Sequence, residues 1–288
     1  MAAVAEHLAA TRPYAGRTFA LLTQHGKETL AQPLVDALGC EVVRATGFDT
    51  DTLGTFTREV PRTLAGIDAA REKARLACAL SGTPFGLGSE GSFGVDPAMA
   101  LLPWSYEFVV LRDEERGIEV TGRAAGYACW SHGGVGDWDA AVEFARNARF
   151  PEHWLVVRPS HHDDPRLIKD IADWDTLRAA FHRAQAQATD GRVSLEVDGR
   201  AHANPTRQMV IRAAMADLAE RLACACPACG TPGFGRERAL AGLPCGGCGE
   251  PTPDPRAQLW RCVACAWSEE RPVAAAYADP ERCGLCNP

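Results

Sequence analysis

No stretch of the sequence is apolar over the roughly 18 residues a membrane-crossing helix needs. The first residues, "MAAVAEHLAATRPYAGR", contain an acidic side chain and no continuous hydrophobic segment, so no secretory leader is expected and the chain is read as cytoplasmic. Positive charge is in short supply as well: 30 Lys and Arg stand against 37 Asp and Glu, for a net charge of -7. Non-specific binding of nucleic acid rests on neutralising phosphates, so a nucleic-acid partner is not expected. Cysteine is thin ahead of Cys224, where Cys40, Cys78 and Cys129 are scattered. A disulfide framework is therefore excluded from most of the chain.

What remains is an ordinary globular composition, 46% hydrophobic and 23% charged, with enough length for one full domain and a small one. Nine of the twelve cysteines crowd between Cys224 and Cys286. That shift sets the expected boundaries: an α/β domain over 1–222 and a Cys-rich domain over 223–288.

The tail holds four C-x-x-C units, Cys226/Cys229, Cys245/Cys248, Cys262/Cys265 and Cys283/Cys286. The stretches between them, 230–244, 249–261 and 266–282, have the lengths of zinc-ribbon hairpins. A tetrahedral zinc site takes four ligands, so eight thiolates make two closed structural sites with no position left for a catalytic water. Disulfides belong to oxidising compartments, and a redox C-x-x-C needs a thioredoxin-like βαβ setting that this tail lacks. Sequential, nested and interleaved pairings of the four units all close loops of similar length. Cys224 is read as a spare thiol.

Ahead of this tail strand-like and helical patterns alternate. Strands are expected at 17–23, 41–46, 83–89 and 193–199, and in the run "HWLVVRP". Helices are expected at 28–38, 64–80, 138–148, 176–189 and 206–222. "EFVVLRD" and "GIEVTGRAAG" flank "EERG" as a hairpin, which makes the sheet mixed. Ligands in such folds sit beyond the carboxyl ends of strands, where "HGKE" (25–28) and "EGSFG" (90–94) are expected. Glycine permits close backbone approach, so Glu90, set among glycines, is expected to meet a metal-bound phosphate.

The aperiodic loop "GFDTDTLGTFTREVPR" (47–62) carries Asp49, Asp51 and Glu59, and polar loops of this length are often functional. Magnesium favours oxygen ligands and bridges phosphates. Asp49, Asp51, Glu59, Asp68 and Glu90 could supply such ligands, with Lys27, Arg62 and Lys73 neutralising phosphate. "SHHDDP" (160–165) reads as a solvated loop, and Cys129 with His132 lacks the third group a nucleophile pair requires. Trp104 and Tyr106 read as core aromatics that could also flank a base.

The order strand, "HGKE", helix, strand, acidic loop, "DAAREKA", strand, "SEGSFGVD" is similar to the inosine/xanthosine triphosphate pyrophosphatase superfamily. That superfamily has E-N-A-x-x-K-A on a helix and D-D-S-G-L-x-V-D at a strand end. Asp68 to Ala74 matches the first at the acid, the alanine and the Lys-Ala pair, and Ser89 to Asp96 matches the second with Glu90 for the catalytic Asp. Ser89, Ala69 and His25 depart from the pattern. The resemblance implies an inosine-triphosphate-pyrophosphatase-like fold and magnesium-assisted hydrolysis of a nucleoside triphosphate. It implies catalytic Glu90, Asp68 and Lys73, magnesium at Asp68 and Glu90, and substrate contacts from Lys27 and Arg207, to which the reading of the loop adds Glu59 as a magnesium ligand and Arg62 as a substrate contact. Over its whole length the chain, with "LPWSYE", "CPACGTPGF" and "ADPERCGLCNP", also resembles a bacterial family of two-part proteins with no known activity.

Two functions follow as expectations. One is a nucleotide pyrophosphohydrolase with structural zinc ribbons. The other is a non-catalytic binding module in which the body senses a phosphorylated nucleotide and the zinc tail engages a protein or nucleic acid, a protein being favoured.

Overall fold

The computed structural model describes residues 13–288. The reading of the amino terminus as lacking a leader falls mostly on residues 1–12, outside the described residues. The described chain forms two compact units, Tyr14–Ala219 and Glu220–Pro288. Among the described residues no helix is long and apolar enough to cross a membrane.

The larger unit contains two sheets. In the first, β1 (Thr18–Leu22), β2 (Glu41–Ala45) and β3 (Phe85–Val95) run parallel, and β4 (Pro103–Asp113) and β5 (Ile118–Tyr127) continue antiparallel, in the order β2-β1-β3-β4-β5. The crossovers are α1 (Gln32–Leu38) and α2 (Gly66–Ser81). The mixed α/β sheet expected from the hairpin is present. The second sheet is antiparallel throughout, with the order β6 (His132–Val135), β9 (Val193–Val197), β7 (Leu155–Pro159), β8 (Ile168–Ile171). It packs against α3 (Trp138–Asn147) and α4 (Trp174–Gln187) around Leu155, Val157, Phe181, Val193 and Leu195. A further helix, α5, runs over Pro205–Ala223.

Several sequence expectations need correction. The helix expected over 28–38 breaks into a 3-10 turn at Lys27–Leu30 and α1, because Pro33 supplies no N–H and starts a new helix. Strands β6 and β8 escaped the pattern: "HGGV" and "IKDI" are four residues each and mixed in polarity. The strand expected at 83–89 runs on to Val95, so "EGSFG" is strand, not a loop at a strand end.

That extension explains the glycines. A Cβ on Gly86 would lie 2.0 Å from the Ala74 carbonyl oxygen, and one on Gly88 would lie 1.9 Å from that of Ala70. These two glycines let α2 lie directly on the sheet, where Ala70 and Ala74 pack on Val110. On the opposite face a Cβ on Gly122 would strike Ala214 and Leu218 of α5. Two helices thus clamp one sheet at backbone contact distance. Gly86 and Gly88 serve helix packing, and the expectation that the glycines around Glu90 bring the chain to a metal-bound phosphate is withdrawn.

The smaller unit is a three-stranded antiparallel sheet, β10 (Gly235–Ala241), β11 (Pro255–Arg261) and β12 (Ser268–Pro272). Its apolar core is small: Phe234 and Trp260 pack beside Cys226 and Cys262, with the Arg271 guanidinium 3.8 Å from the Trp260 ring centre.

Candidate functional site

The cysteines form two four-sulfur groups, Cys226/Cys229/Cys262/Cys265 and Cys245/Cys248/Cys283/Cys286. The first C-x-x-C unit joins the third and the second joins the fourth, so the pairing is interleaved. Within each group the sulfurs lie within 4.8 Å of one another, and the short Sγ to Sγ separations are 3.6 to 3.7 Å. A zinc ion at about 2.3 Å from four tetrahedral sulfurs would hold them about 3.8 Å apart. Disulfide bonding requires sulfurs at about 2 Å, and all twelve cysteines are free.

The loops are built to hold thiolates. The N–H groups of Gly247 and Ala264 donate to the Cys245 and Cys262 sulfurs at 3.3 Å. Hydrogen bonding with Thr231 brings Cys229 down to about 6, and backbone N–H groups of Cys248 and Gly247 bring Cys245 down to about 7. The neighbouring sulfurs of Cys248 and Cys245 push Cys286 up to about 12. That crowding is what a dication relieves, and both groups can hold zinc.

In the larger unit, the carboxyl ends of β1 and β2 face the stretch 23–31 and the loop 47–62. Strand β3 continues past its last β1 partner, since Leu22 pairs with Gly88. Ser89 and Glu90 therefore border this end of the sheet, one on each face. Glu90 shares the face of Gly86 and Gly88, and meets Lys73 on α2 at 2.5 Å. Arg62 reaches its other oxygen at 2.7 Å and the Gly91 carbonyl at 2.7 Å. Burial opposes ionisation of Glu90, but Lys73, Lys27 and Arg62 outweigh it and bring its pKa to about 2.

Ser89 faces the α5 side. The Lys27 amine donates to its carbonyl oxygen at 3.1 Å and its hydroxyl at 3.2 Å. On that face the Arg207 guanidinium donates to both oxygens of buried Glu107, at 2.6 and 3.2 Å, and to the Gly199 carbonyl. It lies 4.2 Å from the Phe56 ring centre. A Cβ on Gly91 would run into the Glu107 carboxylate, so this glycine makes room for the ion pair.

These groups surround a cavity of about 30 Å³, space for about two waters by that measure. Lys27, Lys73, Lys169, Arg200 and Arg207 line it, with Glu90 and Asp51 as its carboxylates. Glu59, Glu107 and Asp198, which balance Lys169, Arg207 and Arg200, do not line it. The ion pairs thus turn their positive ends inward. His25 joins the wall, 3.3 Å from Asp51; burial lowers it to about 4 against the pull of that carboxylate. A wider cleft of about 320 Å³ adjoins at Thr55 and Phe56, walled by Phe93, Trp130, Arg58 and Arg62.

Of the residues expected from sequence, Lys27, Lys73, Glu90 and Arg207 line the cavity, and Arg62 ties Glu90 from the adjoining cleft. Asp68 does not join them. It stands half-exposed in the first turn of α2, paired with Arg71 at 3.0 Å. Glu59 accepts from Lys169 and Thr57 outside the cavity wall. Asp49 caps the 3-10 turn Thr50–Leu53. Among the described residues the only groups of three or more His, Cys, Asp or Glu that could hold a metal are the two cysteine sets. The expected magnesium triad of Glu59, Asp68 and Glu90 is not assembled: its members are spread over separate ion pairs. Trp104 and Tyr106 line neither cavity, and the aromatic wall comes from Phe56, Phe93 and Trp130.

Sequence reasoning missed Lys169 and Arg200. A compositional signal was present for the first. The chain has three lysines, Lys27, Lys73 and Lys169, among its 30 basic residues. All three line this one cavity.

The sequence profile of a domain of unknown function, DUF6671, matches residues 73–288. The chain belongs to the DUF6671 family. The match takes in Lys73, Glu90, Lys169, Arg207 and all eight paired cysteines, whereas Lys27 and Arg62 precede it. No curated protein and no solved structure matches this DUF6671 chain. The resemblance to inosine/xanthosine triphosphate pyrophosphatases therefore gains no support from either comparison.

Proposed function

We propose that the Tyr14–Ala219 unit binds a small anionic molecule, its phosphoryl or carboxylate head in the lysine cavity and its remainder in the adjoining aromatic cleft. The Cys-rich unit, in this reading, is a structural double zinc ribbon. The observation that carries it is the inward presentation of Lys27, Lys73, Lys169, Arg200 and Arg207 in a protein of net charge -7. A lysine ammonium binds phosphate as a compact point charge. The cavity volume suits a single head group rather than a whole nucleotide.

Magnesium-dependent hydrolysis is less well supported than binding. Glu90 already carries Lys73 and Arg62 on its two oxygens, so ligating a metal would strip both cations, of which Lys73 is buried, of their partner. Tail arginines Arg256, Arg261 and Arg271 are paired with Glu270, Glu237 and Glu269, which supports a structural ribbon over a nucleic-acid surface.

Titration calorimetry of the full chain with inorganic phosphate, a nucleoside monophosphate and a nucleoside triphosphate tests the reading, each with and without magnesium. Binding that weakens about tenfold in Lys169→Ala and is indifferent to magnesium is expected. Silence across the panel, or affinity unchanged in Lys169→Ala, would overturn it.

A further inference from the structure

Arginine supplies 27 of the 30 basic residues, and the three exceptions meet in one cavity. Anion binding alone does not explain that choice, because arginine's planar fork binds phosphate and carboxylate at least as well. Lysine differs in having a nitrogen that can give up its proton and attack carbon.

Lys73 and Lys169 are committed to carboxylates, Glu90 and Glu59. Lys27 is not. It is 5% exposed, and among the described residues it makes no ion pair; its two hydrogen bonds both go to Ser89. A neutral amine has two N–H groups and one lone pair, so this arrangement uses both donors and leaves the lone pair free. The charged groups around it are Arg207 on α5, Glu90 on β3, Glu107 on β4 and Lys73 on α2. Burial, with Arg207 next in weight, brings its pKa down to about 7, so the reactive form is well populated near neutrality.

We propose that Lys27 is a nucleophilic amine that condenses with the carbonyl carbon of a small anionic aldehyde or 2-oxo acid. The nitrogen lone pair attacks the carbonyl carbon, and the carbon–oxygen π pair moves onto oxygen. One nitrogen proton passes to that oxygen to give a carbinolamine. Loss of the hydroxyl with the second nitrogen proton, as water, leaves the C=N bond; nothing is oxidised or reduced. Lys73 and Arg207 supply positive charge beside the developing oxyanion and the substrate's own anionic group. The step uses the cavity of the anion reading but does not require that cavity to hold phosphate.

The test is reductive trapping on the full zinc-loaded chain. Glyoxylate is added with cyanoborohydride, which delivers hydride to an imine carbon, and the marked lysine is mapped by peptide mass spectrometry. Only Lys27, Lys73, Lys169 and the terminal amine can react. If access alone governed labelling, Lys169, whose side chain is 34% exposed, would be marked ahead of Lys27. The expected result is marking of Lys27 at least tenfold faster than Lys169, with a rate that is half-maximal near pH 7. No mark on Lys27, or marking there no faster than at Lys169, overturns the proposal, and this comparison needs no variant to fold. Lys27→Arg should abolish the mark while leaving labelling of Lys169 in place. Formaldehyde, which carries no charge, separates the two readings. If formaldehyde marks Lys27 first while glyoxylate and phosphate fail to enter, the amine is reactive, but the anion site and condensation with an anionic carbonyl compound both fall. If phosphate binds but neither carbonyl compound marks Lys27, the anion site stands and the amine falls.

Discussion

The two units handle like charges in opposite ways. In the Cys-rich unit four sulfurs crowd together in each group, and the hydrogen bonds among neighbouring thiols that push Cys286 up to about 12 are what a bound metal would replace. In the larger unit the crowded groups are cations, and the chain supplies its own counter-ions, Glu90, Glu107, Glu59 and Asp198. The first unit is arranged to take a bound metal, whereas the second is neutralised by its own side chains and still leaves a cavity. A site already neutralised from behind gains from a ligand without needing it to fold.

Metal removal should break this comparison most sharply. A structural zinc contributes about 10–16 kcal/mol of apparent binding energy at neutral pH, and the ribbon has little more than Phe234, Trp260 and the cysteines for a core. Chelation is expected to make residues 220–288 susceptible to protease, while labelling at Lys27 persists. Elemental analysis should find two zinc ions per chain, falling to one in Cys226→Ser. A chelated chain whose tail resists protease would show that the ribbon does not need its metal.

The reasons one unit was legible and the other was not are physical. A C-x-x-C unit puts two ligands on one metal through local backbone geometry, so eight cysteines declare two sites before any fold is known. Only the interleaved pairing needed the structure. The cavity gathers residues from places far apart in sequence: Lys27 after β1, Lys73 on α2, Lys169 on β8 and Arg207 on α5. No spacing rule connects them. Glu90 and Lys73 were found by motif, yet the motif assigned Glu90 to magnesium and Lys73 to phosphate, because a sequence cannot show that a carboxylate is already taken by two cations. Asp68 failed for a similar reason: on α2 it lies in an exposed first turn, where it pairs with Arg71. The glycines were misread because close approach to a helix backbone and close approach to a ligand make the same demand on sequence.

A second prediction concerns the self-neutralised unit. Glu90→Gln removes the shared partner of Lys73 and Arg62, and truncating one member of a buried pair costs about 3–5 kcal/mol. A fall in urea midpoint of that size is expected, because Glu90 holds the fold whether or not it does chemistry. The native carboxylate's contribution is complete above an unfolded pKa near 4.5 and is lost as the pH falls through about 2. The stability gap between native chain and variant should therefore be constant from pH 5 upward and close in acid. A variant as stable as the native chain at pH 7 would remove Glu90 from this role.

The smallest effect sharpens the comparison at its least compensated point, Lys27. Its folded pKa of about 7 lies below the ordinary lysine value of 10.5. Between those values the unfolded chain holds a proton that the folded chain does not, so stability rises with pH across that window and levels off below pH 7. Lys27→Met removes the buried amine and with it this slope, at the expense of two hydrogen bonds to Ser89. The variant should be more stable by about 1–2 kcal/mol at pH 7, with the advantage shrinking toward pH 9.5. Taking the difference between the two chains cancels the other titrations, including His25, whose window from about 4 to 6.5 lies lower. Urea denaturation at three pH values reads this directly. A variant that is less stable by the same margin at every pH would mean that Lys27 is held as an ammonium, and the cavity would then have no free amine to offer.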